Sequence, residues 1–254
     1  GQYEKLEAFV GPYKGRNVFY INGKPTPPLM YSSTEQGRIT WADPTRQCIL
    51  DFTEQGYDIF QTDMWFKYSL GPDEIFDMEG IQKQLAGILE LNPEAMILVR
   101  INVSAPRWWC RQYPEELCKV TNVTTDEPVF FGNSRESLAS ESYRKFARRN
   151  LKKFLVEIEQ LPEANRIFGF HIGGAVYGEW HYYGIYDEPD ASGSMRDWFS
   201  GWAMKKYGSL EKINSAWNTG FKSAGEIVVP SYDRRYEVSD GDFRDPAKDM
   251  YVID

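Results

Sequence analysis

The chain is poor in the side chains that usually bind metals. It has only two histidines and three cysteines among 254 residues. Two histidines, His171 and His181, are too few for a histidine-rich metal site. The cysteines form no metal-binding motif. Cys110 and Cys118 could pair across a loop in an oxidising compartment, and free thiols are an equal alternative. The sequence therefore predicts no cofactor and gives no motif for a metal site.

Long apolar runs and an excess of positive charge are also missing. No apolar run approaches the roughly eighteen residues that a membrane span needs. The net charge is −8, and the short basic stretch at 144–153 lies on a helical pattern, where a solvated helix face explains it. No glycine-rich phosphate fingerprint follows a predicted strand, which argues against a dinucleotide-binding sheet. Membranes and nucleic acids are therefore not expected partners.

Aromatic residues, in contrast, are abundant. They make up 15% of the chain and include eight tryptophans. A bulky core explains such an excess, and so does a site that stacks aromatic rings on sugars. Composition alone leaves both explanations open.

Apolar runs alternate with amphipathic helical patterns along most of the chain. Strands are predicted near 28–32, 58–63, 96–101 and 167–172, with a helix after each. This order is typical of an α/β fold with a parallel sheet and right-handed crossovers. We therefore predict the first four units of a (β/α)8 barrel over 27–226, within one catalytic domain over 1–254. A hairpin over 1–26 should precede these units, and an irregular tail over 227–254 should lead into a further helix.

Polar and aromatic side chains gather where the predicted strands end, which is where barrel enzymes carry their active sites. They are Glu35 after the first strand, Asp63 and Trp65 after the second, Arg100, Asn102, Trp108 and Trp109 after the third, and His171, Glu179 and Trp180 after the fourth. Structural alternatives exist: Asp63 and Arg100 as a satisfied pair inside the barrel, and His171 as a core histidine.

Glu179 lies in the stretch "HIGGAVYGEWHYYG", residues 171–184. Glycines allow close approach of a ligand. Aromatic rings around a carboxyl group favour its protonated form, which is one way to build a general acid. We therefore expect an aromatic wall from Trp180, Tyr182 and their neighbours around Glu179. The alternative is a structural turn beneath surface aromatics.

Two stretches resemble family 42 of the glycoside hydrolases. "YSSTEQ" at 31–36 resembles that family's opening strand. "MRDWFSGWAMKKYGSLEKINSAWNTGFKSAGEI" at 195–227 is similar to its segment after strand four. There, a helix ending in Arg/Lys-Tyr-Gly precedes Leu-Glu-x-Ile/Leu-Asn-x-x-Trp. The resemblance implies a (β/α)8 barrel and a retaining mechanism, with an acid/base after strand four and a nucleophile on strand seven.

The chain departs from that family pattern in two places. The Asn-Glu pair that closes strand four is replaced by Gly173, Gly174 and Ala175, and Glu179 follows in a Gly-Glu-Trp variant. Glu179 is therefore the expected acid/base. The chain is also expected to end before strand five, which puts the nucleophile outside it and leaves this fragment inactive by itself.

The leading hypothesis is thus a β-galactosidase-like glycosidase acting on a carbohydrate. Glu35, Asp63, Arg100 and Asn102 would bind sugar hydroxyls, and Trp65, Trp108, Trp109 and Trp180 would stack on sugar rings. The alternatives are an inactive carbohydrate-binding relative and a structural half-barrel. Because an open four-stranded sheet leaves apolar edges, a second copy or a missing carboxyl-terminal half is the expected partner.

Two stretches, Asn-Val-Ser at Asn102 and Asn-Val-Thr at Asn122, match the glycosylation pattern. A glycan on Asn102 would disrupt a site at the end of an inner strand. The sequence therefore favours a bacterial, exported enzyme, with a cytoplasmic location as the alternative.

Overall fold

The computed structural model describes residues 3–32, 45–121, 128–130, 135–182, 190–231, 234–235 and 243–254. The chain forms two compact units. The first comprises Gly1–Trp108 and Ala147–Trp180, and the second comprises Trp109–Phe146 and His181–Asp254. None of the helices in the described ranges is long and apolar enough to span a membrane.

The first unit begins with a small antiparallel sheet. Its strands are β1 (Ala8–Tyr13), β2 (Arg16–Ile21) and β3 (Lys24–Pro25). The Asn-Gly pair at 22–23 predicts a tight hairpin turn, and the structure confirms it between β2 and β3. Asn22 and Gly23 both have positive φ, at 48° and 74°, as this type of hairpin turn requires. Strand β1 was not predicted.

The main sheet of the first unit has four parallel strands. They are β4 (Met30–Ser32), β5 (Ile59–Trp65), β6 (Met96–Asn102) and β9 (Ile167–Gly173), and they pair in that order. The predicted parallel arrangement is confirmed. Among the described residues between β4 and β6, the helices are α1 (Thr45–Glu54), α2 (Phe66–Ser69) and α3 (Met78–Leu91).

The two faces of this sheet differ in chemistry. One face carries Phe60 and Met64 from β5 and Ile97, Val99 and Ile101 from β6, all buried. Helix α3 packs on this face, since Gln84 donates hydrogen bonds to Thr62 Oγ1 and the Asp63 carbonyl. Because side chains alternate along a strand, Asp63, Arg100 and their neighbours lie on the opposite face.

The start of α3 differs from the prediction. The spacing of apolar residues in "DEIFDMEGIQKQLAGILELNP" predicts a helix with Ile75 on its apolar face, but Ile75 lies before the helix and is 60% exposed. Asp77 caps the helix by accepting a hydrogen bond from the Gly80 amide, as an N-cap residue does. Phe76 is the buried residue here, and its ring packs on Phe66 and Phe154.

The helices α4 (Arg107–Gln112) and α5 (Glu141–Ile158) contribute residues to both units. The second unit also contains β7 (Lys119–Thr121), β8 (Pro128–Phe130), α6 (Gly193–Tyr207), α7 (Leu210–Trp217) and α8 (Met250–Ile253). Its core centres on Trp217, which is fully buried and packs on Phe199, Tyr207, Phe221 and Tyr251.

The sequence "KYGSLEK" predicts that Gly208 ends α6 and that Ser209 caps the start of α7, and both predictions are confirmed. Gly208 closes α6 with a φ of 81°, and Ser209 caps α7 by accepting from the Lys212 amide. Cys110 and Cys118 are free thiols and both are buried, which decides between the two alternatives left by the sequence.

Candidate active site

A polar row crosses the face of the main sheet opposite α3. Asp63 on β5, Arg100 on β6 and His171 on β9 are direct neighbours in the strand register. The Nη1 atom of Arg100 lies 3.3 Å from the Oδ2 atom of Asp63. Gln61 Nε2 extends the row by donating to Ser32 Oγ at 2.7 Å and approaching Asp63 Oδ1 at 3.5 Å. The sequence alternative of an Asp63–Arg100 pair is therefore what the structure contains.

Asp63 is buried, with 3% of its surface exposed. Burial raises its pKa above the usual 3.8, and the nearby Arg100 and His171 offset only part of that increase. Desolvation thus outweighs attraction in this pair, as is common for buried charges.

Asn102 ends β6 one row further along, on the same face as Arg100. Its Oδ1 accepts a hydrogen bond from the Ser104 amide at 3.0 Å, which fixes the orientation of the side chain. Its Nδ2 is buried and has no hydrogen-bond acceptor among the residues that the structure describes. A buried amide donor without an acceptor costs free energy unless another group binds it.

The segment after β9 folds back onto the end of its own strand. A 3-10 turn over Val176–Gly178 reverses the chain, and the Trp180 amide donates to the Gly174 carbonyl at 3.0 Å. We call residues 174–180 the return loop. It brings Glu179 back to the carboxyl end of β9, although Glu179 is six residues beyond Gly173 in the sequence.

Three glycines make this return possible. A Cβ on Gly173 would lie 2.9 Å from the Gly178 carbonyl oxygen, and one on Gly174 would lie 2.8 Å from the Trp180 ring. A Cβ on Gly178 would lie 2.7 Å from Arg100 Nη2. At Gly173 the near atom is backbone, so a Cβ there would displace the loop. At Gly174 and Gly178 a Cβ would force the Trp180 ring or the Arg100 guanidinium to move.

The return loop also has strained backbone. Ala175 has φ 58° and ψ −141°, and Trp180 has φ 57°. Residues with side chains rarely adopt these angles, and each costs about 1–3 kcal/mol. Such strain persists where surrounding contacts enforce it, and it clusters at functional sites.

The sequence predicts an aromatic wall around Glu179. Glu179 is exposed. The Trp180 indole is half exposed, and its Nε1 donates to the Ile172 carbonyl. Tyr182 belongs to the second unit, where its hydroxyl donates to Asp190. The indole therefore packs and hydrogen-bonds on the loop's own backbone, and the aromatic wall around Glu179 stays a prediction.

The tryptophans predicted as sugar platforms divide into two groups. Trp108 is half buried, with its Nε1 bonded to the Leu70 carbonyl, and Trp180 is open to solvent. Trp65 and Trp109 are each only 3% exposed. Trp109 packs in the second unit on Tyr113, Tyr143 and Phe146, so the expectation of a platform there is corrected to a core role.

One aromatic residue was missed by sequence reasoning. Tyr68 follows β5 and is 43% exposed. Lys67 Nζ lies 4.5 Å from the ring centroids of both Tyr68 and Trp65, within the range of a cation–π contact. The sequence signal that could have indicated Tyr68 is an aromatic residue three positions after the end of β5. Glu35, the remaining predicted site residue, lies outside the described residues.

The profile of glycoside hydrolase family 42, described as beta-galactosidase, matches residues 59–236. The beta-galactosidase BgaA of Planococcus sp. strain SOS Orange is 31% identical over 150 residues, covering 53% of this chain and 19% of that protein. The beta-galactosidase BbgII of Bifidobacterium bifidum is 26% identical over 159 residues, covering 61% of this chain and 21% of that protein.

Solved structures give a matching fold. The beta-galactosidase of Bacillus circulans sp. alkalophilus has a TM-score of 0.57 at 21% identity, over 80% of this chain and 28% of that chain. The beta-galactosidase of Marinomonas ef1 also has a TM-score of 0.57, at 18% identity, over 80% of this chain and 29% of its own. The fold class is therefore the predicted one, α/β with four strands of the (β/α)8-barrel type.

Proposed function

The chain belongs to glycoside hydrolase family 42, and we propose that it is the amino-terminal part of a retaining, β-galactosidase-like enzyme in which Glu179 is the general acid/base. The chain spans about a fifth of the length of the curated relatives cited above. The activity of the whole protein is therefore part of the proposal, as is its carbohydrate substrate.

The return loop is the observation that carries this proposal. The family pattern places the acid/base directly at the end of strand four, where this chain has glycines. The loop compensates for the displacement, because it folds Gly178 onto the end of β9 and so returns Glu179 to that end of the sheet. Barrel enzymes carry their reacting groups at this edge.

In the proposed mechanism, Glu179 donates its proton to the glycosidic oxygen while that bond breaks. A second carboxylate attacks the anomeric carbon and forms a glycosyl-enzyme ester. This nucleophile would come from outside residues 1–254 and would lie about 5–5.5 Å from the Glu179 carboxyl group. Glu179, now ionised, then takes a proton from water as the water cleaves the ester.

The other parts of the site would bind the sugar. The buried Nδ2 of Asn102 is suited to donate to a sugar hydroxyl, because its Oδ1 is already held by Ser104. Trp180, Trp108 and Tyr68 offer partly open rings for stacking. Glu35 stays a proposed hydroxyl partner.

An inactive carbohydrate-binding relative is the second candidate. The exposure of Glu179 favours it, since a general acid usually works in a site that excludes water. Both candidates are expected to bind sugar, but only the enzyme is expected to hydrolyse it. A structural half-barrel is a third candidate, and the molecular mass of the fragment in solution would reveal its self-association.

The proposal is tested with Glu179→Gln in the full-length protein, which keeps the shape of the side chain and removes its titratable proton. General acid catalysis contributes about 10²–10⁴-fold, so turnover of alkyl galactosides should fall by that factor. Activated aryl galactosides need little protonation of the leaving oxygen, and their loss should be much smaller. Azide should partly restore turnover by replacing the water in the second step.

Glu159→Gln is the matched control, because Glu159 is exposed and lies in the turn directly after α5, before β9 begins. It should leave turnover unchanged. Equal, modest losses for Glu179→Gln on both substrate types, without rescue by azide, would show that Glu179 is structural. Sugar binding without any turnover by the wild type would favour the second candidate.

A further inference from the structure

Arg100 connects the polar row of the main sheet to the return loop. Its Nη1 pairs with the buried Asp63 carboxylate at 3.3 Å. The opposite part of its guanidinium lies against the backbone of Gly178. A Cβ built on Gly178 would be 2.7 Å from Nη2, 3.2 Å from Cζ and 3.3 Å from Nε. Three guanidinium atoms therefore face this one α-carbon.

We propose that Arg100 is a positioning residue for Glu179: Asp63 orients the guanidinium, and the guanidinium fixes the backbone of Gly178 immediately before Glu179. This inference rests on the proposed role of Glu179 as the general acid/base. It gives Arg100 a role different from the sugar contact that the sequence suggested.

The chemistry of the three residues fits this role. The Asp63 and Arg100 side chains are 2% and 16% exposed, so their geometry is held by packing as well as by charge. Arginine has a planar, rigid guanidinium, whereas the lysine ammonium is a point charge on a flexible stem. A flat group can support a backbone segment over its whole width, and lysine cannot replace it.

Gly178 is required in this arrangement for two independent reasons. Its φ of 78° is a conformation that residues with side chains rarely adopt, and its α-carbon lies too close to Arg100 for a Cβ. Gly178, which packs on Arg100, is thus bonded directly to Glu179, the proposed acid. Displacing the first would displace the second.

The first test measures the loop without using activity. Hydrogen exchange is followed in the full-length protein for the Glu179 and Trp180 amides, which donate to Val176 and Gly174. Arg100→Lys and Arg100→Met should each speed their exchange about 10-fold or more, by raising the population of the open loop. The amides of Val99 and Ile101, in the middle of β6, should stay protected.

Arg149→Met is the matched control, because Arg149 also pairs with an acid in the first unit, Glu74, but does so at the surface. It should leave exchange in the return loop unchanged. Unchanged exchange in both Arg100 variants would overturn the proposal, and so would equal acceleration in β6, since that would report general unfolding.

The second test is kinetic and uses Gly178→Ala beside Arg100→Lys. Misplacing a catalytic group by about 1 Å can cost about 100-fold. Both variants should therefore lose about 10- to 100-fold in kcat on alkyl galactosides with KM nearly constant, and lose less on activated aryl galactosides. Gly220→Ala is the control, because a Cβ there meets nothing within 4 Å.

The kinetic outcomes separate the possible roles of Arg100. A raised KM with kcat retained would mean that Arg100 binds the sugar, and a uniform loss on all substrates would mean a general structural role; both overturn the proposal. If the wild type hydrolyses no glycoside, the proposed function fails. The exchange measurement would then still decide whether Arg100 fixes the loop.

Discussion

The family profile spans both units, but the segment with the most specific resemblance and the residues proposed for chemistry lie in different units. The most specific resemblance, residues 195–227, lies in the second unit and includes Trp217 with three of its aromatic neighbours, Phe199, Tyr207 and Phe221. The return loop and the Asp63–Arg100 pair lie in the first unit. The segment with the most specific resemblance therefore belongs to a core, whereas the end of β9, which leads to the proposed acid, departs from the family pattern.

In this chain the most specific resemblance thus coincides with residues that pack around one buried tryptophan. The indole Nε1 of Trp217 donates to Asp254, which also accepts hydrogen bonds from Tyr207 and Lys206. A buried ring with such a polar anchor tolerates few replacements. The proposed acid needs only to bring its carboxyl group to the carboxyl ends of the strands, and loops of different sequence can do that.

The largest effect is expected for Trp217→Ala, which would break the second unit. Removing a buried Trp side chain typically costs about 3–5 kcal/mol. The free energy of unfolding should fall by that amount in denaturant titration. Trp198→Ala is the control, since Trp198 is 47% exposed, and it should cost much less. A loss under about 1 kcal/mol for Trp217→Ala would contradict a core role.

An intermediate effect is expected from two glycines, one in each unit. Gly174→Ala would force the Trp180 indole away from its position, at a cost of about 1–3 kcal/mol, and should shift Trp180 fluorescence. Gly208→Ala meets no atom within 4 Å, so only its φ of 81° is strained and the cost should be about 1 kcal/mol. An unshifted Trp180 signal in Gly174→Ala would refute the close packing of the return loop.

The smallest effect is an opposite response of the two units to acid. Burial raises the pKa of Asp63, so the folded state binds more protons between pH 3.8 and that raised pKa. The contribution of Asp63 to stability therefore falls as pH rises through this window. Burial alone would raise the pKa of Asp254 too, but hydrogen bonds from Lys206, Tyr207 and Trp217 lower it below 3.8. Its contribution is present above 3.8 and is lost as pH falls through the lowered pKa.

The measurement is the melting temperature of Asp63→Asn and Asp254→Asn between about pH 3 and about pH 6, relative to the wild type. Asp63→Asn should differ from the wild type most at the upper end of this range, and Asp254→Asn should lose its difference as the pH falls. Parallel curves for the two variants would contradict the assignment of opposite shifts.

The sequence predicted the elements that depend on local pattern. The apolar runs of β5 and β6 predicted parallel strands, and the Gly-Ser pair at 208–209 predicted both helix ends. Strand β1 was missed because "AFVGPY" contains Gly11 and Pro12, which weaken a strand pattern. Ile75 was predicted to be buried because the apolar pattern extends the helix over it, whereas α3 begins at Met78 and Phe76 is the buried residue before it.

The sequence was enough to predict residues of the candidate site, but it did not predict how they contact one another. That Asp63 and Arg100 share a face follows from strand spacing. The fit of Gly178 on Arg100 depends on a close approach between residues 78 positions apart, which no local pattern encodes. The burial of Trp109 and the exposure of Glu179 depend likewise on how distant segments pack.

The order of strands in the main sheet has a consequence for how the chain assembles. Strands β4, β5, β6 and β9 lie side by side in the order in which they occur along the chain. A ribosome releases the amino-terminal residues first, at about 5–20 residues per second. Each new strand of this sheet therefore meets a neighbour that has already emerged. Asp63 and Arg100 can pair before the return loop that rests on them has been synthesised.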